Sequence, residues 1–147
     1  MQLRKLIQSI IDTFEAIPYS VLALVARLAA ADVFWRSGET KVDGWRITET
    51  TLDLFREEYR VPLLPPEVAA YMATIQEHLF SVLLLIGLAS RFSALGLLLM
   101  TAVIQLFVYP ANYPDHLLWA AALLLIVARG PGSFSIDHFI RRSFHSH

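Results

Sequence analysis

The chain has 147 residues, of which 56% are hydrophobic and only 17% charged, and its mean hydropathy is positive. This excludes a disordered chain, which needs low hydropathy and high charge. It also argues against an ordinary soluble domain, because the apolar residues come in runs long enough to cross a bilayer. A net charge of −1 leaves no basic field for nucleic acid, and the lack of Cys removes disulfides, thiolate nucleophiles and iron–sulfur ligation.

The first fifteen residues place Leu3, Leu6, Ile7, Ile10, Ile11 and Phe14 on one face. Asp12 and Glu15 interrupt the apolar run that a signal peptide needs, so the expectation is a short amphipathic helix lying in the membrane interface. Span one follows at about 17–36 and carries Arg27 and Asp32. The loop 37–66 is the one sizeable connection. In it, Leu52, Phe55 and Tyr59 recur at helical spacing opposite Asp53, Arg56, Glu57 and Glu58, which predicts a half-buried helix on the membrane or the bundle rim.

Span two, about 67–89, is opened by Pro65 and Pro66, where a missing N–H is harmless, and carries Glu77 and His78. A tight turn at Ser90-Arg91 leads to span three, 92–108, which has no charge. After the segment YPANYPD comes span four, 114–128, the weakest. Its uncharged part, Leu117–Ala128, is only about 18 Å long and must lean on interfacial residues. Gly130-Pro131-Gly132 stops it, and residues 129–147 form a tail.

Short connections imply antiparallel neighbours, so the fold expected is all-α: one integral membrane domain, an up-down four-helix bundle with an amphipathic helix in its first loop. Basic residues lean toward the side of the termini (Arg4, Lys5, Arg91, Arg129, Arg141, Arg142). The basic residues of the 37–66 loop, Arg60 among them, are diluted by acids. Both termini are therefore expected in the cytoplasm and the long loop in the periplasm, in a bacterial inner membrane.

Ionisable groups inside a span are costly and tend to face the bundle interior. Counted from Ser37 and Glu67 as outer ends, Arg27 and Glu77 both lie about 15 Å deep, a depth at which they can pair. The pair reads either as a buried bridge fixing helix register or as a ligand or proton site. His78 shares that depth but points about 100° round the helix. A second group, Asp32, Gln105, Asp115, His116 and Trp119, lies nearer the outer surface with Tyr109 and Tyr113.

His78 and His116 lack the spacing of a metal pair on one helix, so no metal site is expected there. His138, His145 and His147 in the tail read as an ordinary polar end or a weak metal ligand set. Trp35, Trp45, Trp119, Tyr109 and Tyr113 read either as an interfacial belt or as a wall for a quinone headgroup.

Several residues in order, Phe34-x-x-x-Gly38-x-x-Lys41, Glu77, Leu85-Ile-Gly87-Leu-Ala-Ser-Arg91, Met100-x-x-x-Ile104-Gln105 and Ala128-Arg-Gly130-Pro-Gly132-Ser-Phe-Ser135-Ile-Asp137, give a pattern that resembles the DoxX family of small four-helix bacterial membrane proteins. The resemblance covers about residues 20–138. It marks Arg27, Gly38, Lys41, Glu77 and Gly130–Asp137 as the family's recurrent positions. The family is named for its likeness to a subunit of a thiosulfate:quinone oxidoreductase. Some members are associated with membrane redox complexes, and others accompany metal-handling peptides. The chain departs in having no Cys, which sets direct thiol chemistry aside.

The resemblance implies a subunit or accessory of a quinone-linked membrane redox system. Glu77, assisted by Arg27 and His78, would exchange protons with a quinone as the cofactor. Asp32, Lys41, Gln105, Tyr109, His116 and Trp119 would line the ligand. Partners expected are the lipid bilayer, other membrane or periplasmic subunits, and a second copy of the chain. Two alternatives stand: a metal- or small-solute-handling membrane protein using Asp32, Gln105, Asp115 and His116 as an access site, and a non-catalytic scaffold held together by Arg27 and Glu77.

Overall fold

The computed structural model describes residues 2–59 and 61–144; Arg60, and His145 and His147 of the tail, lie outside the described residues. Helix α1 (Gln2–Glu15) has no buried residue and exposes the predicted apolar face. A bend of 55° leads into α2 (Tyr19–Glu39). Strands β1 (Val42–Asp43) and β2 (Arg46–Ile47) form a small antiparallel hairpin whose turn uses Gly44 at φ +59°. Thr48 then caps α3 (Glu49–Glu57) by accepting the Thr51 N–H. This is the helix expected in the first loop, and it buries Phe55 against Ala69 and Ala70.

Helix α4 (Pro66–Ile86) begins with proline in its first turn and ends on Gly87, which takes the left-handed conformation at φ +74°. Ala89 is also left-handed, so the reversal occupies Gly87–Ala89 and Ser90 already belongs to α5 (Ser90–Val103). The turn thus comes slightly before the expected Ser90-Arg91. Helix α5 continues through a π-helical turn (Ile104–Val108), a short 3₁₀ turn (Pro110–Asn112) follows, and then α6 (Tyr113–Arg129) and α7 (Ile136–Phe144).

Four helices close into a ring: α2 packs on α4 and α6, and α5 packs on the same two. Contacts near both ends of the helices show antiparallel neighbours. Tyr19 meets Leu125 and Gly130 while Phe34 meets Trp119, and Arg27 meets Leu84 while Ser37 meets Glu77. Small side chains let the backbones approach: Ala23, Ala26, Ala30 and Ala31 on α2, Ser81 on α4, and Ser90, Ser93 and Ala94 on α5 are buried. Large apolar residues such as Ile75, Leu79, Leu106, Leu117, Leu118 and Leu124 point outward. A soluble protein would bury such residues, whereas lipid solvates them.

Three segments, Pro66–Ile86, Ser90–Val108 and Pro110–Arg129, are each long and apolar enough to cross a membrane. The fourth bundle member, α2, carries Arg27, Asp32 and Arg36, and meets that measure only together with α1 across the bend. The all-α membrane architecture is as expected.

Candidate functional site

The structure separates Arg27 from Glu77. Arg27 is buried and turns all three guanidinium nitrogens onto carbonyl oxygens. Nε donates to Leu84 O (2.7 Å), Nη2 to Leu85 O (2.8 Å), and Nη1 to Phe134 O (2.6 Å) and Pro131 O (3.2 Å). It therefore caps the C-terminal end of α4, where carbonyls lack helical partners, and ties the segment between α6 and α7 to the bundle. Leu84 lies seven residues beyond Glu77, roughly 10 Å along the helix. The expected Arg27–Glu77 pair does not form.

The cause is helix register. Ser37 sits opposite Glu77, not Glu67. The first turns of α4 run on past α2 and pack instead against α3. Counting depth from Ser37 and Glu67 as level ends therefore offset the two helices.

Glu77 finds other partners. Its Oε1 accepts from Lys41 Nζ (2.9 Å) and from the Ser37 hydroxyl (2.8 Å). Lys41 Nζ also reaches Ser37 O (3.0 Å). The Glu77 side chain is 2% exposed and that of Lys41 14%. Among the described residues, the other carboxylate oxygen of Glu77, Oε2, is buried with no hydrogen-bond partner. Such a group is expensive to leave unmatched.

Glu77, Lys41 and Ser37 line a cavity of about 470 Å³, with Gln76 and Asn112 as further polar residues. Its other walls are mostly apolar: Phe34, Met72 and Leu99 are among them, with Met100 and Val103 of α5 and Ile104 of the π-helical turn. Helix α3 and the segment after it supply Phe55, Tyr59 and Val61. Tyr109 donates to the Tyr59 hydroxyl at 3.0 Å, and the two rings meet edge to face at 5.5 Å, joining the long loop to the residue after the π-helical turn. Burial pushes the Tyr59 hydroxyl well above the usual tyrosine range.

The π-helical turn has a visible consequence. Gln105, inside it, donates from Nε2 to Pro110 O (2.9 Å) and accepts at Oε1 from His116 Nδ1 (2.6 Å). His116 is buried, stacks on Trp119 at 5.0 Å and, like Trp119, lines the cavity. Such turns often occur at functional positions. Gln105 itself faces a smaller apolar cleft of about 420 Å³, which His116 also borders.

Lys41, Tyr109, His116 and Trp119 thus gather around the cavity with Glu77, and Gln105 reaches it through His116. Other expected residues are not brought there. Asp32 is exposed and pairs with Arg36 at 3.0 Å. His78 projects from a different face of α4: Nδ1 donates to Thr74 O (2.8 Å), Nε2 lies 3.2 Å from Glu39 Oε1, and the ring stacks edge-on against Trp35. A Cβ on Gly38 would sit 2.6 Å from that imidazole, so glycine makes room for it.

Ser37 and Tyr59 were not singled out as site residues. Ser37 precedes Lys41 by four residues, one helical turn, which is the signal that could have joined them. Among the described residues no group of three or more His, Asp or Glu is placed to hold a metal ion.

Fold and site together define a small all-α membrane protein with a buried acidic side chain in the wall of a largely apolar cavity. The profile of the DoxX family matches residues 22–110, more than half of the chain, and the chain belongs to that family. The match takes in Arg27, Lys41 and Glu77 and stops before Gly130–Asp137. An uncharacterized protein of Haemophilus influenzae is 26% identical over 138 residues, covering 88% of this chain and 90% of its own. No solved structure matches the chain.

Proposed function

We propose that the chain is the membrane subunit of a quinone-linked redox system in the bacterial inner membrane, and that the cavity receives the quinone headgroup. The observation that carries this reading is the unpartnered, buried Oε2 of Glu77 beside Lys41 in the wall of a largely apolar cavity. A quinone suits that arrangement chemically: its ring and prenyl tail are apolar, and its oxygens exchange hydrogen bonds. When bound, it carries two electrons and two protons between partner proteins.

The chain's own groups have defined tasks in this reading. Lys41 Nζ donates to a headgroup oxygen, and Glu77 Oε2 accepts from a headgroup hydroxyl. Ser37 holds the pair in position. Trp119, Phe34 and Met100 exclude water, which strengthens those polar contacts. Tyr59 and Tyr109 border the cavity on the side of the long loop. Electrons are supplied or taken by a partner subunit, since the chain has no cysteine to hold a cluster. The basic residues on the side of the termini support cytoplasmic termini and a periplasmic first loop.

Binding of a short-tailed ubiquinone analogue to the purified full chain, followed by quenching of tryptophan fluorescence, tests the reading. Saturable binding that weakens about tenfold, the loss of one good hydrogen bond to a charged group, is expected for Glu77→Gln. Equal binding by wild type and a folded Glu77→Gln variant overturns it.

A further inference from the structure

At the other end of the bundle a cleft of about 590 Å³ opens between the start of α2, the α4–α5 turn, the end of α6, and α7. Three arginines line it, Arg91, Arg129 and Arg141. Arg91 lies in the first turn of α5 and Arg129 is the last residue of α6, so both mark where apolar spans stop. Among the described residues, neither Arg91 nor Arg129 has a carboxylate within ion-pair distance. The carboxylate in the cleft wall, Asp137, accepts from the N–H groups of Ala89 (2.7 Å) and Ser90 (2.8 Å), which line the same cleft.

Both arginines are held from behind. Arg129 lies over the Tyr19 ring at 5.1 Å, and the Tyr19 hydroxyl donates to Gly130 O at 2.6 Å. Arg91 packs against the backbone of Gly130, where a Cβ would come within 3.2 Å of Nη2. Positioned arginines lining a cleft suit bidentate bonding to a phosphate.

A second observation sets the cleft at headgroup depth. Helix α7 leaves Ile136, Phe139, Ile140 and Phe144 exposed while carrying Arg141 and Arg142, and α1 ends next to Tyr19 with its own apolar face uncovered. Amphipathic helices of this kind lie in the membrane interface with their apolar faces among acyl chains. Phe92, 67% exposed, continues the apolar surface from the cleft onto α5.

We propose that this cleft binds an anionic glycerophospholipid, its phosphodiester held by Arg91 and Arg129 with Arg141 alongside, and one acyl chain lying against Phe92. Basic pockets between membrane helices bind such headgroups. The site is independent of the cavity at Lys41–Glu77.

Native mass spectrometry of the full chain, in a mild detergent with equal phosphatidylglycerol and phosphatidylcholine, reads the proposal. Wild type should retain phosphatidylglycerol over phosphatidylcholine by roughly tenfold or more. Arg91→Gln combined with Arg129→Gln should bring that ratio near one, with an unchanged unfolding temperature as the folding control. Arg91→Lys with Arg129→Lys should keep part of the preference. Equal retention of the two lipids by wild type, or an undiminished preference in the folded glutamine variant, overturns the proposal. Glycerol 3-phosphate is the remaining arm: if it binds as tightly as the lipid, the ligand is a free phosphate ester and the lipid assignment fails.

Discussion

Lys41 Nζ lies 2.9 Å from Glu77 Oε1, reaching from just beyond the end of α2 to the middle of α4 in the wall of a largely apolar cavity. Both charges are largely withdrawn from water, so their attraction and their desolvation are each large and nearly cancel. Removing one partner strands the other. Lys41→Met should lower stability by about 3–5 kcal/mol, whereas replacing both residues with Met should recover most of that loss. Thermal unfolding in detergent provides the cycle. Strictly additive losses would show that the two residues are not coupled.

Arg27 gives a contrasting prediction. Its four hydrogen bonds go to main-chain carbonyls at the end of α4 and in the 131–134 segment, so its work is to hold elements together. Lysine cannot reproduce a planar fork of donors. Arg27→Lys and Arg27→Met should both cost about 3 kcal/mol or more, since each lost bond is worth about 1 kcal/mol. The protein that remains folded should bind the quinone analogue normally. A folded Arg27→Met protein without binding would return Arg27 to the site.

The long apolar helices and the loop helix were legible because they follow from periodicity and run length, which local sequence carries. The placement of Glu77 was not. Its partner depends on how far α4 stands past α2, and that is set by Phe55 of α3 packing on Ala69 and Ala70, a contact between distant segments. Lys41 was visible through the family pattern alone, since a lysine just past a span otherwise reads as an interfacial charge. The π-helical turn at Ile104–Val108 leaves no mark in composition, so the Gln105–His116 bond it creates could not be foreseen. The direction of His78 was legible: adjacent helical positions point about 100° apart, and it indeed leaves Glu77's face.

Gly87 and Gly44 separate backbone strain from close packing. Both have positive φ, +74° and +59°. A Cβ at Gly87 would lie 2.5 Å from Ser135 Cβ and 2.8 Å from Arg27 Nη2, while one at Gly44 meets nothing within 4 Å. Gly44→Ala should therefore cost only about 1 kcal/mol of backbone strain. Gly87→Ala adds a collision with the Arg27 staple and should cost clearly more, about 3 kcal/mol. Equal unfolding temperatures for the two variants would show that the Gly87 contact yields freely.

Tyr59 supplies a pH dependence with a definite sign. Burial raises its folded pKa above the ordinary value of 10.0. An acid whose folded pKa is raised binds its proton more tightly when folded. The stability linked to this group is therefore complete below pH 10 and is lost as pH climbs from there toward the folded value. Tyr59→Phe should cost about 1 kcal/mol at pH 8, because Tyr109 loses its acceptor. It should also flatten the fall in unfolding temperature that wild type shows above pH 10. Unfolding temperatures of both proteins between pH 8 and 11 decide the matter. Parallel curves would mean that the Tyr59 hydroxyl is as accessible to water when folded as when unfolded, and that the cavity is open on the side of the long loop.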